Sequence, residues 1–324
     1  MHGTVLEYGP NVPTIDLRRF HIAVGGRKER AMKRIFLFIV TNLAVLALLS
    51  VVLYVIQAVF GVRLPQNGMG NLLTFAAVFG FGGAFISLAL SKWTAKHMMG
   101  VQVIREPQSE IERWLLATVQ RLAGQAGIGM PEVGIFESEE MNAFATGARR
   151  NAALVAVSTG LLRGMGRPQA EAVLGHEITH VSNGDMVTMT LLQGVLNTFV
   201  IFLARIIGGI VDRALFKNDR EGSGIGFFVT TMIAQLALGI LASMIVNAYS
   251  RGREFRADRG GADLAGTGSM IGALEALKQS HGAPMPKQLQ AFGINTGPSE
   301  GFMRLFMSHP PLDERIAALR AASH

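Results

Sequence analysis

The fold is decided at residues 175–210, which read GHEITHVSNGDMVTMTLLQGVLNTFVIFLARIIGGI. Two histidines and a glutamate precede Asn183-Gly184, a pair that commonly ends a helix. The part that follows, 186–210, is long and apolar enough to cross the hydrocarbon core of a bilayer as a helix. Its charged residue, Arg205, lies near the helix end, where an arginine can reach the interface. A polar helix therefore leads directly into a predicted membrane helix.

A lack of charge recurs elsewhere in the chain. The stretches without Asp, Glu, Lys or Arg are 35–60, 64–91, 186–204 and 222–250. They account for the charged content of 16%, since soluble domains carry roughly 25% charged residues. This distribution excludes a purely soluble enzyme, a fibrous repeat and a disordered chain. It predicts four membrane helices, at 35–60, 71–91, 186–210 and 226–249.

The predicted helices divide the chain into five parts. These are a basic N-terminal extension at 1–34, membrane hairpins at 35–91 and 186–250, and the two parts of a cytoplasmic domain at 92–185 and 251–324. Basic residues flank the first hairpin on both sides, whereas its connector carries only Arg63. By the positive-inside rule, the N-terminus and the chain from residue 92 onward are expected in the cytoplasm.

The composition limits the chemistry and the partners. Cysteine is absent and the formal net charge is +7. A chain without cysteine has no disulfide, no thiolate zinc site and no cysteine nucleophile, so histidine and carboxylate must bind any metal. The basic excess is typical of a membrane protein with positive flanks, and the signatures of a nucleic-acid module are missing. We expect the lipid bilayer, and no nucleic acid, as a partner.

Residues 92–185 carry the pattern of a small α/β region. Ser109 and Glu112 form a capping box ahead of an amphipathic helix, and Pro168 is suited to the first turn of a second helix. Short runs of β-type residues predict strands at Glu132–Phe136, Asn142–Thr146 and Ala152–Ser158. The expected fold is mostly α with a small β-sheet, attached to the four-helix membrane part.

The string His176-Glu177-Ile178-Thr179-His180 indicates metal-dependent hydrolysis. On a helix, His176 and His180 lie one turn apart on the same face, so both imidazoles can bind one ion. Glu177 lies beside them, where its carboxylate can take a proton from a water molecule that the metal activates. The alternative is a pair of surface histidines on an ordinary helix.

A catalytic zinc needs a third protein ligand. The continuation His-x-x-Gly-x-x-His is missing, since Asn183 and Met186 occupy its positions. The second predicted hairpin returns the chain beside the end of the histidine helix, and the first carboxylate after it is Glu254. Asp258, one helical turn later, could accept a hydrogen bond from a ligand histidine and fix its tautomer. For Glu254, the alternative is a salt bridge within the surrounding arginine cluster.

These motifs resemble those of the HtpX family of bacterial inner-membrane heat-shock proteases, a branch of the gluzincins. The resemblance rests on EFRAD at 254–258 downstream of the histidine string, on GHEITHVSNGDMVTMT at 175–190 and on NAFATGARR at 142–150. It extends from about Met32 to the C-terminus. Relatives of this kind begin near Met32, so residues 1–31 are expected to be either a genuine extension or an artefact of start-site assignment.

The resemblance implies a gluzincin-type zinc protease domain with a cytoplasmic active site. It makes His176, His180 and Glu254 the ligands of one zinc ion per subunit and Glu177 the general base. Asp258 is expected to lie outside this ligand set, in contact with a ligand histidine. The implied activity is that of a zinc metalloendopeptidase of the inner membrane. Its implied substrates are misfolded or damaged membrane proteins, degraded in quality control under heat or envelope stress.

The resemblance also gives roles to two other segments. Asn142-Ala143-Phe144-Ala145 resembles the edge strand on which gluzincins bind the substrate backbone, and an ordinary short strand is the alternative. Ser308-His309-Pro310-Pro311-Leu312 resembles the His-Pro-Pro motif of prenyl-protein proteases, where the histidine faces the tetrahedral intermediate. This implies a catalytic His309, and a plain histidine before a helix is the alternative. Arg315 either orients this region or is a solvated arginine.

Other classes of function fit less well. A catalytically idle zinc-containing membrane scaffold or adaptor would not need the complete water-activating set that includes Glu177. A transporter is disfavoured because the apolar segments contain no Asp, Glu or His for an ion path. An intramembrane protease is disfavoured because Arg167, Glu171 and Asp185 accompany the histidine motif and indicate a surface position.

Overall fold

The computed structural model describes residues 66–216, 224–281, 305 and 307–322. All of them belong to one compact unit, Val62–His324. The predicted extension at 1–34 and the predicted membrane segment at 35–60 lie outside the described residues. The described part is mostly helical with a small β-sheet, as predicted, and it contains three of the four predicted membrane helices.

The elements follow one another in a simple order. The helices are α1 (Gln66–Met98), α2 (Glu110–Ala126), α3 (Thr159–Gly164), α4 (Arg167–Asn183), α5 (Asp185–Phe216), α6 (Ile225–Ala265), α7 (Thr267–His281) and α8 (Leu312–Ala321). The strands are β1 (Gln102–Val103), β2 (Glu132–Phe136), β3 (Ala143–Thr146) and β4 (Leu154–Ser158). A short 3-10 turn, Arg150–Ala152, precedes β4 where the sequence pattern predicted the start of the strand.

Among the described residues, three helices are long and apolar enough to cross a membrane. They contain the candidate spans Gly70–Met98, Asp185–Leu215 and Ile225–Ala265. Helix α5 packs against both α1 and α6. The outward sides of α1 and α6 expose large apolar side chains that lipid would cover, among them Phe79, Ile86, Phe228, Met232 and Leu236.

The membrane helices extend beyond their apolar segments. Helix α6 continues without a break for 41 residues, from Ile225 to Ala265, although its charge-free stretch ends at Ser250. No proline interrupts this range, so the backbone hydrogen bonds can continue past the membrane boundary. Glu254 and Asp258 therefore lie on the same rigid helix as the membrane segment before them.

The sheet has the order β1-β2-β4-β3. Strands β2 and β4 are parallel, with Glu132 opposite Leu154, whereas β3 runs antiparallel to β4, with Thr146 opposite Leu154. Among the described residues, β3 has a strand partner on one side alone. Strand β3 is therefore an edge strand of the sheet, and an edge strand is a template for pairing with another extended chain.

Helices cover both faces of the sheet. Leu115 of α2 and Leu174 of α4 are fully buried against Val155 and Val157 of β4, and burial of each leucine contributes roughly 1.5–3 kcal/mol. The opposite face buries Leu154 and other side chains against Ala95 near the end of α1. The last turns of α1 thus join the membrane part to the sheet.

Local sequence signals fix the ends of α2 as predicted. Ser109 Oγ accepts a hydrogen bond from the Glu112 backbone at 3.2 Å, and the Glu112 carboxylate accepts one from the Ser109 backbone at 3.0 Å. The helix ends at Gly127, whose φ of 65° is left-handed and favours glycine. The predicted capping box is confirmed.

Candidate active site

Helix α4 carries two adjacent histidines into the interior. His176 and His180 are 7% and 5% exposed, and their Nε2 atoms lie 3.1 Å apart. The helix has Pro168 in its first turn and ends at Gly184, with a φ of 70°, after which α5 begins at once. The one-turn spacing thus directs both Nε2 atoms toward a common point.

Two glycines on α6 allow it to approach α4 closely. A Cβ on Gly261 would lie 3.0 Å from the backbone nitrogen of His176, and one on Gly260 would overlap the side chain of Thr179. Larger residues would therefore push the two helices apart. The close packing brings the carboxylate of α6 within reach of the α4 imidazoles.

Glu254 completes a three-residue cluster with the two histidines. Its Oε1 lies 3.4 Å from Nε2 of His180, and its Oε2 lies 3.5 Å from Nε2 of His176. The residue is 1% exposed. One ligand atom from each residue lies within 4.8 Å of the others, so the group could bind a metal ion.

The donor atoms of this cluster fit a divalent cation. The carboxylate of Glu254 is buried and faces three imidazoles, with His309 Nδ1 at 2.9 Å from its Oε2, and a buried carboxylate needs a nearby positive charge. Tetrahedral zinc with bonds of about 2.0–2.1 Å would separate its donors by about 3.3–3.4 Å. The two Nε2 atoms lie 3.1 Å apart, and each has a different oxygen of Glu254 at 3.4 or 3.5 Å, which is close to this spacing.

A carboxylate lies beside the Nδ1 atom of each histidine. Nδ1 of His176 lies 2.9 Å from Oδ1 of Asp258, and Nδ1 of His180 lies 2.7 Å from Oδ2 of Asp185. A proton held on Nδ1 leaves the Nε2 lone pair for a metal ion. Sequence reasoning named Asp258 but gave Asp185 no such role. The signal was available, because Asp185 directly follows the Asn183-Gly184 helix stop and so begins α5 beside the end of α4.

Arg315 in turn pairs with the carboxylate of Asp258. Its Nε and Nη2 donate to the two oxygens of Asp258 at 2.7 and 2.5 Å, and the residue is 6% exposed. The solvated-arginine interpretation of Arg315 is therefore wrong. A buried bidentate pair of this kind fixes both the position and the charge of the carboxylate.

The surroundings determine the charge state of the histidines when no cation is bound. Burial alone would lower the pKa of His180, but contacts with Asp185 and Glu254 outweigh it and raise the pKa to about 9. Burial opposes the charged form of His176 too, yet its contacts with Asp258 and Glu254 raise its pKa above the ordinary value. The cluster therefore strongly favours positive charge, which a bound cation would also supply.

His309 lies at the mouth of the cluster. Its Nδ1 is 2.9 Å from Oε2 of Glu254, while its side chain is 59% exposed. Arg251 of α6 donates a hydrogen bond to the carbonyl of Met307 at 2.9 Å, which holds this segment beside α6. The neighbouring Glu177 is only partly buried. His309 and Glu177 thus lie between the buried cluster and the outside.

The predicted substrate strand is the edge strand β3, in which Ala143 is partly buried and Ala145 is 6% exposed. The Asn142 carbonyl accepts a hydrogen bond from Ser158 of β4 at 2.8 Å. Because hydrogen-bonded pairs alternate along an antiparallel ladder, Phe144 also directs its backbone groups toward β4. The backbone groups of Ala143 and Ala145 point to the open side. Helix α4 packs beneath β3, so this open side lies next to the histidine helix.

Comparisons with known proteins point to one family. The model of Peptidase family M48 matches residues 109–323. The chain is 60% identical over 299 residues to Protease HtpX of Alkalilimnicola ehrlichii, covering 90% of this chain and 99% of that protein. It is 61% identical over 294 residues to the Protease HtpX homolog of Thiobacillus denitrificans, covering 90% and 99%.

A solved structure shares the fold. The crystal structure of S. mikatae Ste24p matches with a TM-score of 0.57 over 82% of this chain and 64% of that chain. The sequence identity is 18%, so this likeness concerns the fold alone.

Proposed function

Because the chain belongs to peptidase family M48 and is a membrane metalloprotease, we propose that it hydrolyses misfolded or damaged membrane proteins at the cytoplasmic face of the bacterial inner membrane. One observation carries the proposal: the buried cluster joins His176 and His180 of α4, which is followed directly by the candidate membrane helix α5, to Glu254 of α6, which itself contains a candidate membrane span. A site so placed is suited to chains that emerge from the bilayer. A role in the response to heat or envelope stress would follow from such substrates.

The metal in this proposal is one zinc ion per subunit, bound by His176, His180 and Glu254. The burial of the Glu254 carboxylate beside two imidazoles and the spacing of the donor atoms support this assignment. When bound, zinc would polarise the scissile carbonyl and lower the pKa of a water molecule to about 7. Asp258 and Asp185 would keep the ligand histidines in the tautomer with a proton on Nδ1.

The chain's own groups would move the protons. The carboxylate of Glu177 would accept a proton from the water that attacks the scissile carbonyl carbon, and would then deliver it to the departing amine nitrogen. The carbon–nitrogen bond breaks as the amine leaves, so one water molecule is consumed for each bond cut. The imidazole of His309, which is exposed at the mouth of the cluster, would donate a hydrogen bond to the oxyanion.

The substrate in this proposal is an extended chain paired with β3. The outward-facing backbone groups of Ala143 and Ala145 would hydrogen-bond to it and place its backbone above α4. Backbone pairing does not depend on side-chain identity, which suits a protease for unfolded segments of many sequences. Asn142 and Phe144 would act indirectly, by fixing β3 against β4.

The test combines metal analysis with proteolysis by the purified full-length protein. We expect one zinc ion per chain, cleavage of an unfolded membrane protein, and loss of cleavage with a chelator. The Glu177→Gln variant should keep its zinc and lose cleavage, since the amide cannot accept the proton. Cleavage that survives in this variant would overturn the role of Glu177. Bound zinc without any cleavage by the wild-type protein would instead favour the idle scaffold.

A further inference from the structure

We propose that substrates cross the active site with a fixed polarity, in which the membrane-embedded part lies on the N-terminal side of the cut bond. The protease would then cut segments that follow a membrane span and spare equivalent segments that precede one. This inference rests on the proposed function and on β3 as the substrate-binding strand. It concerns which membrane proteins can be substrates.

The first step is the direction of the paired chain. Strand β3 already pairs in antiparallel fashion with β4, and antiparallel pairing is the slightly more stable arrangement per residue. A substrate that binds the outward groups of Ala143 and Ala145 in this way runs opposite to β3. Its N-terminal part then lies at the Thr146 end of the strand, and its C-terminal part lies at the Asn142 end.

The second step is that the Thr146 end lies at the membrane. Lys92, the first charged residue after the apolar stretch 64–91 of α1, donates a hydrogen bond to the carbonyl of Ala152 at 2.9 Å and pairs with Glu132 at 2.8 Å. A Cβ on Gly147, directly after β3, would lie 3.4 Å from Cδ of Lys92. The end of the apolar stretch of α1 therefore lies beside Gly147, directly after β3. We call the Thr146 end of β3 the membrane end.

The charges at the two ends of β3 agree with this placement. The exposed Arg149 follows the membrane end, where a basic group can contact anionic lipid headgroups. The exposed Glu139 and Glu140 precede the opposite end, which we call the far end. Carboxylates at the far end would be repelled by an anionic membrane surface, so that end is suited to the aqueous side.

The third step is the limited length of the strand. Strand β3 spans only Ala143–Thr146, roughly 13 Å at the usual rise per residue. A segment that follows a membrane span can enter at the membrane end and run straight along β3. A segment that precedes a span would have to leave from the far end and turn back to the bilayer, which needs additional unfolded chain.

Two membrane reporters test the polarity. Both carry the same unfolded segment, joined either after or before the same single membrane span, and a third reporter carries the segment without a span. The zinc-loaded full-length protein is placed with each reporter in phospholipid vesicles. We expect the segment that follows the span to be cut at least about tenfold faster, the loss that one or two misaligned backbone hydrogen bonds would cause.

The third reporter separates the two possible failures. If none of the three reporters is cut, the proposed function fails. If the two membrane reporters are cut equally, or the segment preceding the span is cut faster, the polarity is overturned and the proposed function stands. If only the free segment is cut, the polarity is overturned, and so is the choice of membrane proteins as substrates, while the peptidase activity stands.

A binding experiment decides the polarity without cleavage. The chain has no cysteine, so Arg149→Cys near the membrane end and Glu139→Cys near the far end each create a single thiol. In a Glu177→Gln background, with a mild thiol oxidant added to accept the two electrons, a reporter cysteine upstream of the cut bond should form a disulfide with the thiol at position 149. A downstream cysteine should form one with the thiol at position 139. Exchanged pairings would overturn the proposal even if no bond is ever cut.

Discussion

Asp185 shows how one side chain behind a ligand can control a metal site. Its carboxylate lies 2.7 Å from Nδ1 of His180 and is buried at the start of α5. The Asp185→Asn variant keeps a hydrogen-bond acceptor but loses the charge that makes the imidazole a stronger ligand. Removal of such a partner typically lowers metal affinity about 10- to 100-fold. We expect this loss in a zinc titration against a competing chelator.

The matched control for this variant is Asp263→Asn on α6. Asp263 is exposed, so the same chemical change should leave zinc affinity unaltered. Equal affinity in the Asp185→Asn protein and the wild type would show that His180 does not depend on this carboxylate.

Arg315 provides a second test at the scale of single residues, this time of stability. Its removal in Arg315→Met would leave the buried carboxylate of Asp258 without its bidentate partner. Loss of one member of a buried ion pair destabilises a protein by about 3–5 kcal/mol. We expect that decrease in the free energy of unfolding, measured by denaturant titration of the metal-free protein.

Arg320 offers the comparison for Arg315 on the same helix. Its ion pair with Glu275, at 2.8 Å, is largely exposed, and such pairs contribute about 0–1 kcal/mol. Arg320→Met should therefore change the unfolding free energy little. Similar decreases in the free energy of unfolding in both variants would mean that the buried pair stabilises the protein no more than the exposed pair does.

At the scale of elements, the packing of α4 on α6 determines whether the ligands meet. Gly260 has no room for a Cβ beside Thr179. The Gly260→Ala variant should push the helices apart, at a cost of about 1–3 kcal/mol for overpacking, and should weaken zinc binding as Glu254 moves away from the histidines. Thermal unfolding and the chelator competition measure these two effects.

Gly252 is the control for this effect on the same helix. A Cβ there meets nothing within 4 Å, so Gly252→Ala should stabilise α6 by roughly 0.5–1 kcal/mol through its better helix propensity. A Gly260→Ala protein that binds zinc like the wild type would show that the close approach of the two helices is not required.

The elements also show how far sequence patterns can predict this fold. Local signals were sufficient for α2, because its capping box and terminal glycine act within a few residues. The continuous α6 was not predicted, because the charge-free stretch ends at the membrane boundary while the helix runs on to Ala265. Hydropathy marks the change of solvent, whereas a helix ends only where its backbone hydrogen bonds end.

The candidate site was predictable where its chemistry is contained in short motifs. The sequence pointed to His176, His180 and Glu254, and the structure brings these three together. The contact between Asp185 and His180 was missed, although Asp185 directly follows the Asn183-Gly184 helix stop that the sequence predicts. The outward groups of Ala143 and Ala145 depend on strand register, which the pattern of a four-residue strand does not fix.

At the scale of the whole molecule, a metal ion would join two helices that are each connected to a candidate membrane span. His176 and His180 come from α4, which leads into α5, and Glu254 comes from α6. An ion that binds only the folded chain stabilises it by about 4 kcal/mol when its concentration is 1,000 times the dissociation constant. We therefore expect chelation to lower the thermal unfolding temperature of the full-length protein and added zinc to restore it.

Two variants distinguish stabilisation by the metal from side effects of the chelator. Glu254→Gln should unfold at a lower temperature and no longer respond to the chelator, since one ligand is weakened. Glu177→Gln should respond like the wild type, because Glu177 lies outside the group of three that could hold the ion. A Glu254→Gln protein with full zinc content and an unchanged response would move the third ligand elsewhere. An unfolding temperature unaffected by chelation in the wild type would show that α4 and α6 are held together by packing alone.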